Sequence, residues 1–198
     1  RCEMTFSQVI GVIIAGIITD NIVLVRSIGI CPFLGVSRKL DSAVGMGAAV
    51  TFVLVLASTV SYLLYYYLLI PLEITYLQTI VFILIIAALV QILDIVLKKV
   101  SPSLYSSLGV YLALITTNCC GLGTANDIIG NGFTLLTTVI HSASVGLGFT
   151  LALVLMAGIR EKTALSDNVP SPFRGLPIAL IAAGIMAIAF AGLRGMAF

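Results

Sequence analysis

Two of the four cysteines stand in matching motifs of the pattern C-x-x-L-G, one beginning at Cys31 and the other at Cys119. Three kinds of chemistry suit such a pair: a disulfide, two small apolar side chains at helix crossings, or half of a metal site. Iron–sulfur clusters and structural zinc take four cysteine ligands, so a metal site would need two more from a second chain. The motifs alone leave these alternatives open. We interpret Cys120 as a packing residue, because adjacent side chains on a helix point in different directions.

Ionisable residues inside apolar stretches form a second set of candidates, because a charge in a membrane is costly and usually serves a function. Asp20 lies late in the first apolar stretch, where it either handles an ion or proton or pairs with Arg26 near the membrane surface. His141, the single histidine, either relays protons or makes a packing hydrogen bond to a neighbouring helix. Asp94 and Lys98, four residues apart, predict an interfacial ion pair.

The elements that must position these residues are helices in a membrane. Of the 198 residues, 60% are hydrophobic and only 9% are charged, whereas a soluble domain carries about 25% charged residues. Six apolar segments are each long enough to cross the ~30 Å hydrocarbon core as a helix, at about 6–25, 43–66, 77–97, 105–125, 132–158 and 176–196. This predicts an all-α membrane protein with six transmembrane helices in a single membrane domain, residues 1–198. The small net charge of +2 predicts no nucleic-acid partner.

The first segment is expected to be a membrane span and not a cleaved signal peptide, since it lacks a basic start and a small-residue cleavage site. The positions of lysine and arginine then predict the orientation of the chain. Eight of the ten follow the first, third and fifth segments, namely Arg26, Arg38, Lys39, Lys98, Lys99, Arg160, Lys162 and Arg174. Because cytoplasmic loops are enriched in these residues, we expect these three connections in the cytoplasm and both termini outside.

The chain also has signs of an internal duplication. Gly45-Met46-Gly47 opens one apolar run and Gly146-Leu147-Gly148 opens another, and each follows a C-x-x-L-G motif in the same order. We predict two repeats, at about 6–97 and 105–196. Each holds three spans, an odd number, so the second repeat would enter the membrane inverted relative to the first.

Inverted repeats place functional groups near the membrane midplane on discontinuous helices. We therefore expect broken or half helices in the first and fourth spans, where the apolar pattern is least regular. Cys31 would lie on a re-entrant half-helix flanked by Gly29 and Gly35. Cys119 would lie near the end of the fourth span, before the helix-breaking Gly121. The two cysteines would then face each other from opposite sides.

Longer stretches around both cysteines resemble a known family. Asn21–Leu40 (N-I-V-L-V-R-S-I-G-I-C-P-F-L-G-V-S-R-K-L) and Leu114–Cys119 (L-I-T-T-N-C) resemble the two cysteine motifs of RnfA, a family of membrane subunits of the Rnf electron-transport complex. G-I-R-E-K at Gly158–Lys162 and V-P-S-P-F-R-G at Val169–Gly175 resemble the loop that precedes its last span. The resemblance covers about Phe6 to Leu193. The NqrE subunits of the sodium-pumping NADH:quinone oxidoreductase are similar too and are the alternative assignment.

The resemblance implies a membrane subunit of a ferredoxin:NAD⁺ oxidoreductase that couples electron transfer to Na⁺ or H⁺ movement, in a bacterial or archaeal cytoplasmic (inner) membrane. Such a subunit pairs with an inverted paralogue of the RnfE type, each supplying two cysteines to a midplane [2Fe–2S] cluster, beside flavin- and cluster-carrying subunits of types B, C, D and G. Cys31 and Cys119 would be this chain's ligands, with Thr117 and Asn118 hydrogen-bonding nearby. The complex would be the enzyme, with no complete active site in this chain.

A different class of function uses the same architecture. A small secondary transporter built on an inverted repeat would handle ions through Asp20 and His141 and would not depend on its cysteines. Solute uptake by the isolated chain would distinguish it from an electron carrier.

Overall fold

Helices make up every regular element of the part of the chain that the computed structural model describes, which is residues 6–37, 40–71, 75–100, 114, 118–165 and 175–194. A π-helical turn, Ala15–Thr19, continues α1, another, Tyr65–Leu69, continues α3, and a short 3₁₀ turn precedes α4. Within those ranges there is no strand, so the predicted all-helical fold is confirmed there. The helices are α1 Phe6–Ile14, α2 Ile30–Val36, α3 Leu40–Leu64, α4 Gln78–Val100, α5 Cys119–Gly130, α6 Leu135–Ala164 and α7 Leu176–Arg194.

Two helical stretches within these ranges are long and apolar enough to cross a membrane, Leu40–Leu69 and Leu135–Ala164, with 30 residues each. At 1.5 Å per residue each is about 45 Å long, more than the hydrocarbon core requires. Helices α4 and α7, at the predicted third and sixth spans, have 23 and 19 residues but shorter apolar windows. Most of the predicted fourth span, 105–125, lies outside the described residues. Six spans therefore remain a prediction.

The first predicted span is broken, as expected, although six residues earlier than its predicted end at residue 25. The helix ends at Thr19 and α2 begins only at Ile30. Asn21, which is fully buried, supports the break: its amide nitrogen donates to the carbonyl of Gly148 at 2.8 Å, and its side-chain oxygen accepts from the backbone N–H of Val23 at 3.1 Å. Buried backbone groups that leave a helix need such partners. The half-helix predicted for Cys31 is confirmed, since α2 has only seven residues.

The prediction for Cys119 was wrong in one respect, because a helix begins at this residue instead of ending just after it. Asn118 caps the start of α5 by accepting from the backbone N–H of Cys120 at 3.1 Å, a common role for asparagine. Gly121 and Gly123 lie inside α5 and allow close packing; a Cβ on Gly123 would lie 3.3 Å from Ile22. The break predicted at residues 126–127 comes instead at 131–134.

The two long helices, α3 and α6, cross at a reciprocal contact. A Cβ on Gly47 would lie 2.5 Å from Cγ2 of Thr150, and a Cβ on Gly146 would lie 2.6 Å from Cγ2 of Thr51. Each threonine hydroxyl also donates to the carbonyl of the glycine four residues earlier. Glycine lets helices approach closely in a membrane. The contact pairs Gly47 with Gly146, two residues away from the register in which the sequence paired Gly45 with Gly146.

One basic residue lies far from the group to which the sequence assigned it. Arg160, near the end of α6, donates to the carbonyl of Leu34 at 2.7 Å and to the hydroxyl of Ser37 at 3.0 Å, so the ends of α2 and α6 lie together. Arg26 instead lines a cleft with His141, which is about 28 Å from Arg160 along α6. Its predicted place among the cytoplasmic residues was wrong, because the chain turns back after Thr19 before it reaches that end. Which face of the protein is cytoplasmic stays a prediction.

Candidate metal centre

A hydrogen bond joins the two cysteine motifs. The backbone N–H of Gly29 donates to Sγ of Cys119 at 3.0 Å, across 90 residues of sequence. Cys31 follows Gly29 by two residues, and two residues span at most about 7 Å. The tertiary structure therefore brings both cysteines to one place, as the sequence predicted.

Both cysteines occupy the first turn of a helix. Cys31 is the second residue of α2 and Cys119 is the first residue of α5. The free N–H groups and positive partial charge at a helix N-terminus stabilise negative charge, so both positions suit thiolates.

The three alternatives for the cysteine pair can now be compared. Cys31, Cys119 and Cys120 are free thiols, so no disulfide joins them. Cys31 and Cys119 are exposed, which does not suit residues that fill space at a packed crossing, whereas Cys120 is fully buried in the core. The prediction that Cys120 packs is confirmed. The arrangement of the other two suits ligands that meet a group from outside the chain.

Gly29 is a residue that the sequence analysis did not select as a hydrogen-bond donor to sulfur. Its φ of +88° lies in the left-handed region, which side chains other than glycine adopt only at a cost. A Cβ there would lie 3.2 Å from a ring carbon of Phe149 and 3.3 Å from the side-chain oxygen of Asn118. Only glycine brings this N–H to the sulfur without displacing its neighbours. Its position just before the motif of Cys31 was the available signal.

The two residues predicted to hydrogen-bond near the site have different outcomes. Asn118 is 8% exposed, and it positions the backbone at Cys120 through its capping bond. Its side-chain nitrogen has no hydrogen-bond partner among the described residues. Thr117 lies outside the described residues, so its role stays a prediction.

Within the described ranges, no three residues among His, Cys, Asp and Glu lie close enough together to hold a metal ion. The chain thus offers two thiols at this place, which is half the complement of an iron–sulfur cluster or a structural zinc site. Two exposed thiols at helix N-termini, one of them accepting a backbone N–H, fit a cluster completed by a second chain.

The ionisable residues predicted inside the membrane form a second polar group. Arg26 lies between two carboxylates: its Nη2 is 2.7 Å from Oδ2 of Asp20 and its Nη1 is 2.5 Å from Oδ2 of Asp127. All three line a cleft of about 210 Å³ together with Asn131 and His141. The pairing of Asp20 with Arg26 was one of the two predicted alternatives and is confirmed.

His141 lies at the edge of this cleft. Its ring makes an edge contact with Phe133 at 5.3 Å between centroids, and its buried Nε2 has no hydrogen-bond partner among the described residues. The packing hydrogen bond predicted from the sequence is therefore not formed by Nε2. The predicted pair of Asp94 with Lys98 is not described, because the side chain of Lys98 lies outside the described set.

Comparison with known proteins matches nearly the whole chain. Residues 9–197 match the family described as Rnf-Nqr subunit, membrane protein. The chain is 56% identical over 185 residues to the A-type subunit of the Na(+)-translocating ferredoxin:NAD(+) oxidoreductase complex of Acetobacterium woodii, covering 93% of this chain and 96% of that protein. It is 50% identical to the A-type subunit of the ion-translocating oxidoreductase complex of Syntrophotalea carbinolica, covering 93% and 95%. The chain therefore belongs to the Rnf-Nqr family of membrane protein subunits.

Proposed function

We propose that this chain is the A-type membrane subunit of an ion-translocating ferredoxin:NAD⁺ oxidoreductase complex, and that Cys31 and Cys119 supply two of the four thiolates of a [2Fe–2S] cluster shared with a paralogous subunit. The hydrogen bond from Gly29 to Cys119 carries the proposal, since it joins the two motifs that contain the cysteines. The identity to two proteins that are named as A-type subunits of such complexes supports the choice of complex.

The depth of this site also supports a role in moving electrons across a membrane. A Cβ on Gly29 would contact Phe149, which lies at the middle of the 30-residue helix α6. An electron cannot cross ~30 Å of hydrocarbon in one tunnelling step, so a carrier near the middle is required. When bound, the cluster would accept and release one electron at that depth.

The residues of this chain would provide ligands and offset their charge. Thiolates bring negative charge into a medium of low dielectric constant, which is costly. The N-terminal turns of α2 and α5 and the N–H of Gly29 would stabilise that charge, and hydrogen bonds to sulfur also tune the reduction potential of such a group. Asn118 would keep the first turn of α5 in place through its bond to the backbone of Cys120.

The partner would supply the remaining two thiolates. Both cysteines are exposed, so a second chain can reach them. The reciprocal contact of Gly47 with Thr150 and Gly146 with Thr51 supports the predicted inverted repeat, and a paralogue in the opposite orientation would present its own cysteines from the other side.

The cleft favours a second role in ion handling. Asp20 and His141, the two candidates, line the same cleft, and the formal charges of Asp20, Arg26 and Asp127 sum to one negative charge. A single Na⁺ or H⁺ would balance it. A transporter that works without its cysteines would use this same cleft, so Asp20→Asn tested for ion translocation and Cys31→Ser tested for iron separate the two roles.

The decisive experiment is co-expression of this chain with its paralogous partner, followed by iron analysis and visible absorption of the purified complex. Cys31→Ser and Cys119→Ser should each abolish the absorption band and most of the iron. Cys120→Ser is the matched control, adjacent in sequence and buried, and should retain both. Full iron in Cys31→Ser would refute the assignment.

A further inference from the structure

The loop formed by residues 20–29 is fastened to α5 at two points. At one end, Gly29 donates to the sulfur of Cys119, the first residue of α5. Closer to the middle, Arg26 pairs with Asp127, about 12 Å farther along the same helix. Arg26 also pairs with Asp20 at the start of the loop. One guanidinium thus joins both the beginning of the loop and the helix that begins with a cysteine.

We propose that Arg26 is a positioning residue for the two-cysteine site: by bridging Asp20 and Asp127 it holds the 20–29 loop against α5, so that the N–H of Gly29 stays on Cys119 and Cys31 stays beside it. This inference rests on the proposed function only for its redox consequence. The positions of the two thiols can be tested without any cluster.

The shape of arginine suits this role better than a point charge would. Nε and Nη2 of Arg26 face the two oxygens of Asp20, at 3.4 and 2.7 Å, while Nη1 faces Asp127. A planar fork can hold two carboxylates in fixed directions at once, whereas the ammonium of lysine does not impose such directions. Arg26→Lys should therefore keep the charge but hold the loop less firmly.

The direction of the hydrogen bond makes the site sensitive to small shifts of the loop. An N–H donor contributes strongly only when its distance and angle to the acceptor are close to ideal. Ser27 and Gly29 both have positive φ, at 56° and 88°, so the loop adopts a backbone conformation that it does not prefer by itself. A contact on either side of this strained stretch is needed to hold it, and Arg26 is on one side.

The test compares Arg26→Gln and Asp127→Asn in the co-purified complex. Both variants break the bridge, but they remove charges of opposite sign. If the charges acted only through space, removal of the cation would lower the reduction potential of the cluster and removal of the anion would raise it. If the bridge positions Gly29, both variants weaken the N–H···S bond and both lower the potential.

A second measurement follows the thiols in membranes that hold the complex without iron. In a background of Cys2→Ser and Cys120→Ser, a short bismaleimide should link Cys31 to Cys119, and the rate should fall about fivefold in Arg26→Gln. The charge swap Arg26→Asp with Asp127→Arg rebuilds a bridge with unchanged net charge and should restore both the rate and the potential. Lys162→Gln removes an exposed cation elsewhere and should alter neither.

A raised potential in Asp127→Asn together with a cross-linking rate equal to that of the unsubstituted protein would overturn the inference. If Arg26→Gln fails to fold, the charge swap and Asp127→Asn still decide it. If the unsubstituted complex holds no iron at Cys31 and Cys119, the proposed function fails while the cross-linking rates still test Arg26.

Discussion

The α3–α6 crossing and the contact between the 20–29 loop and α5 both join distant parts of the chain, but by different forces. At the crossing, Gly47 and Gly146 meet Thr150 and Thr51 with no room for another atom. At the loop, the contacts are directed: one N–H on the sulfur of Cys119 and one guanidinium between two carboxylates.

The difference follows from what each region must leave exposed. A helix crossing can be stabilised by close packing because all of its atoms are buried. Cys31 and Cys119 are exposed, so packing cannot hold their side chains in place. Hydrogen bonds and ion pairs can do so, because they set direction without covering the sulfur. The crossing supplies a rigid frame and the loop supplies the chemistry.

The largest expected effect is at the crossing. Gly47→Leu inserts a side chain where even a Cβ would clash with Thr150, and overpacking of this kind costs about 3 kcal/mol. The Tm of the detergent-solubilised complex should fall by about 9 °C. Gly45→Leu, on the same helix with nothing within 4 Å of its Cβ position, is the matched control. Equal Tm values for the two variants would contradict the close crossing.

The next effect is at Asn21, where the loop depends on the frame. Asn21→Ala removes the bond to Gly148 and leaves the backbone N–H of Val23 without its acceptor, a loss of about 2 kcal/mol. Thermal unfolding should begin about 6 °C lower. Asn131→Ala, at an exposed position, should change the Tm much less. A larger loss in Asn131→Ala would show that Asn21 does not support the break.

A smaller loss of stability but a large loss of iron is expected at Gly29. Gly29→Ala places a side chain at φ +88°, which costs about 1–2 kcal/mol, and pushes the loop away from Phe149 and Asn118. The iron content of the complex should fall by more than half while the protein stays folded. Gly132→Ala is the matched control, since its φ is +62° with open space around it; it should lose stability but keep its iron. Comparable iron in both variants would exclude a special role for Gly29.

The smallest effect is expected at the other end of α2. Arg160→Gln removes the bond to the carbonyl of Leu34, and a hydrogen bond from a charged donor is worth about 1.5 kcal/mol. Hydrogen exchange at the backbone of α2 should rise, with little change in α3. Lys162→Gln serves as the control for loss of charge. Uniform exchange changes across both helices would argue against a local role.

Much of this architecture follows from residue types that act locally. Runs of apolar residues can satisfy their backbone groups in a membrane only as helices, so the helices at 40–69 and 135–164 were predictable. Glycine on both sides of Cys31 indicated the half-helix. The matching motifs indicated that Cys31 and Cys119 belong together, because a duplicated motif keeps its role.

Other features depended on contacts between residues far apart in sequence. Gly121 and Gly123 have the same composition signal as helix breakers, but their neighbours across the core make them packing residues inside α5. Arg26 follows the first apolar segment and was assigned to a cytoplasmic loop, yet Asp127, 101 residues away, pairs with it on the other side of the midplane.

The sequence by itself determined the membrane helices, the half-helix and the pair of cysteines, since each depends on hydrophobicity or on short motifs. Only the tertiary structure decided that Gly29 donates to Cys119, that Arg26 bridges Asp20 and Asp127, and that α5 begins where the fourth span was expected to end. Hydrogen bonds and close contacts depend on distances of a few ångströms between segments that are about 100 residues apart. No local pattern specifies those distances, because they arise only when the helices pack.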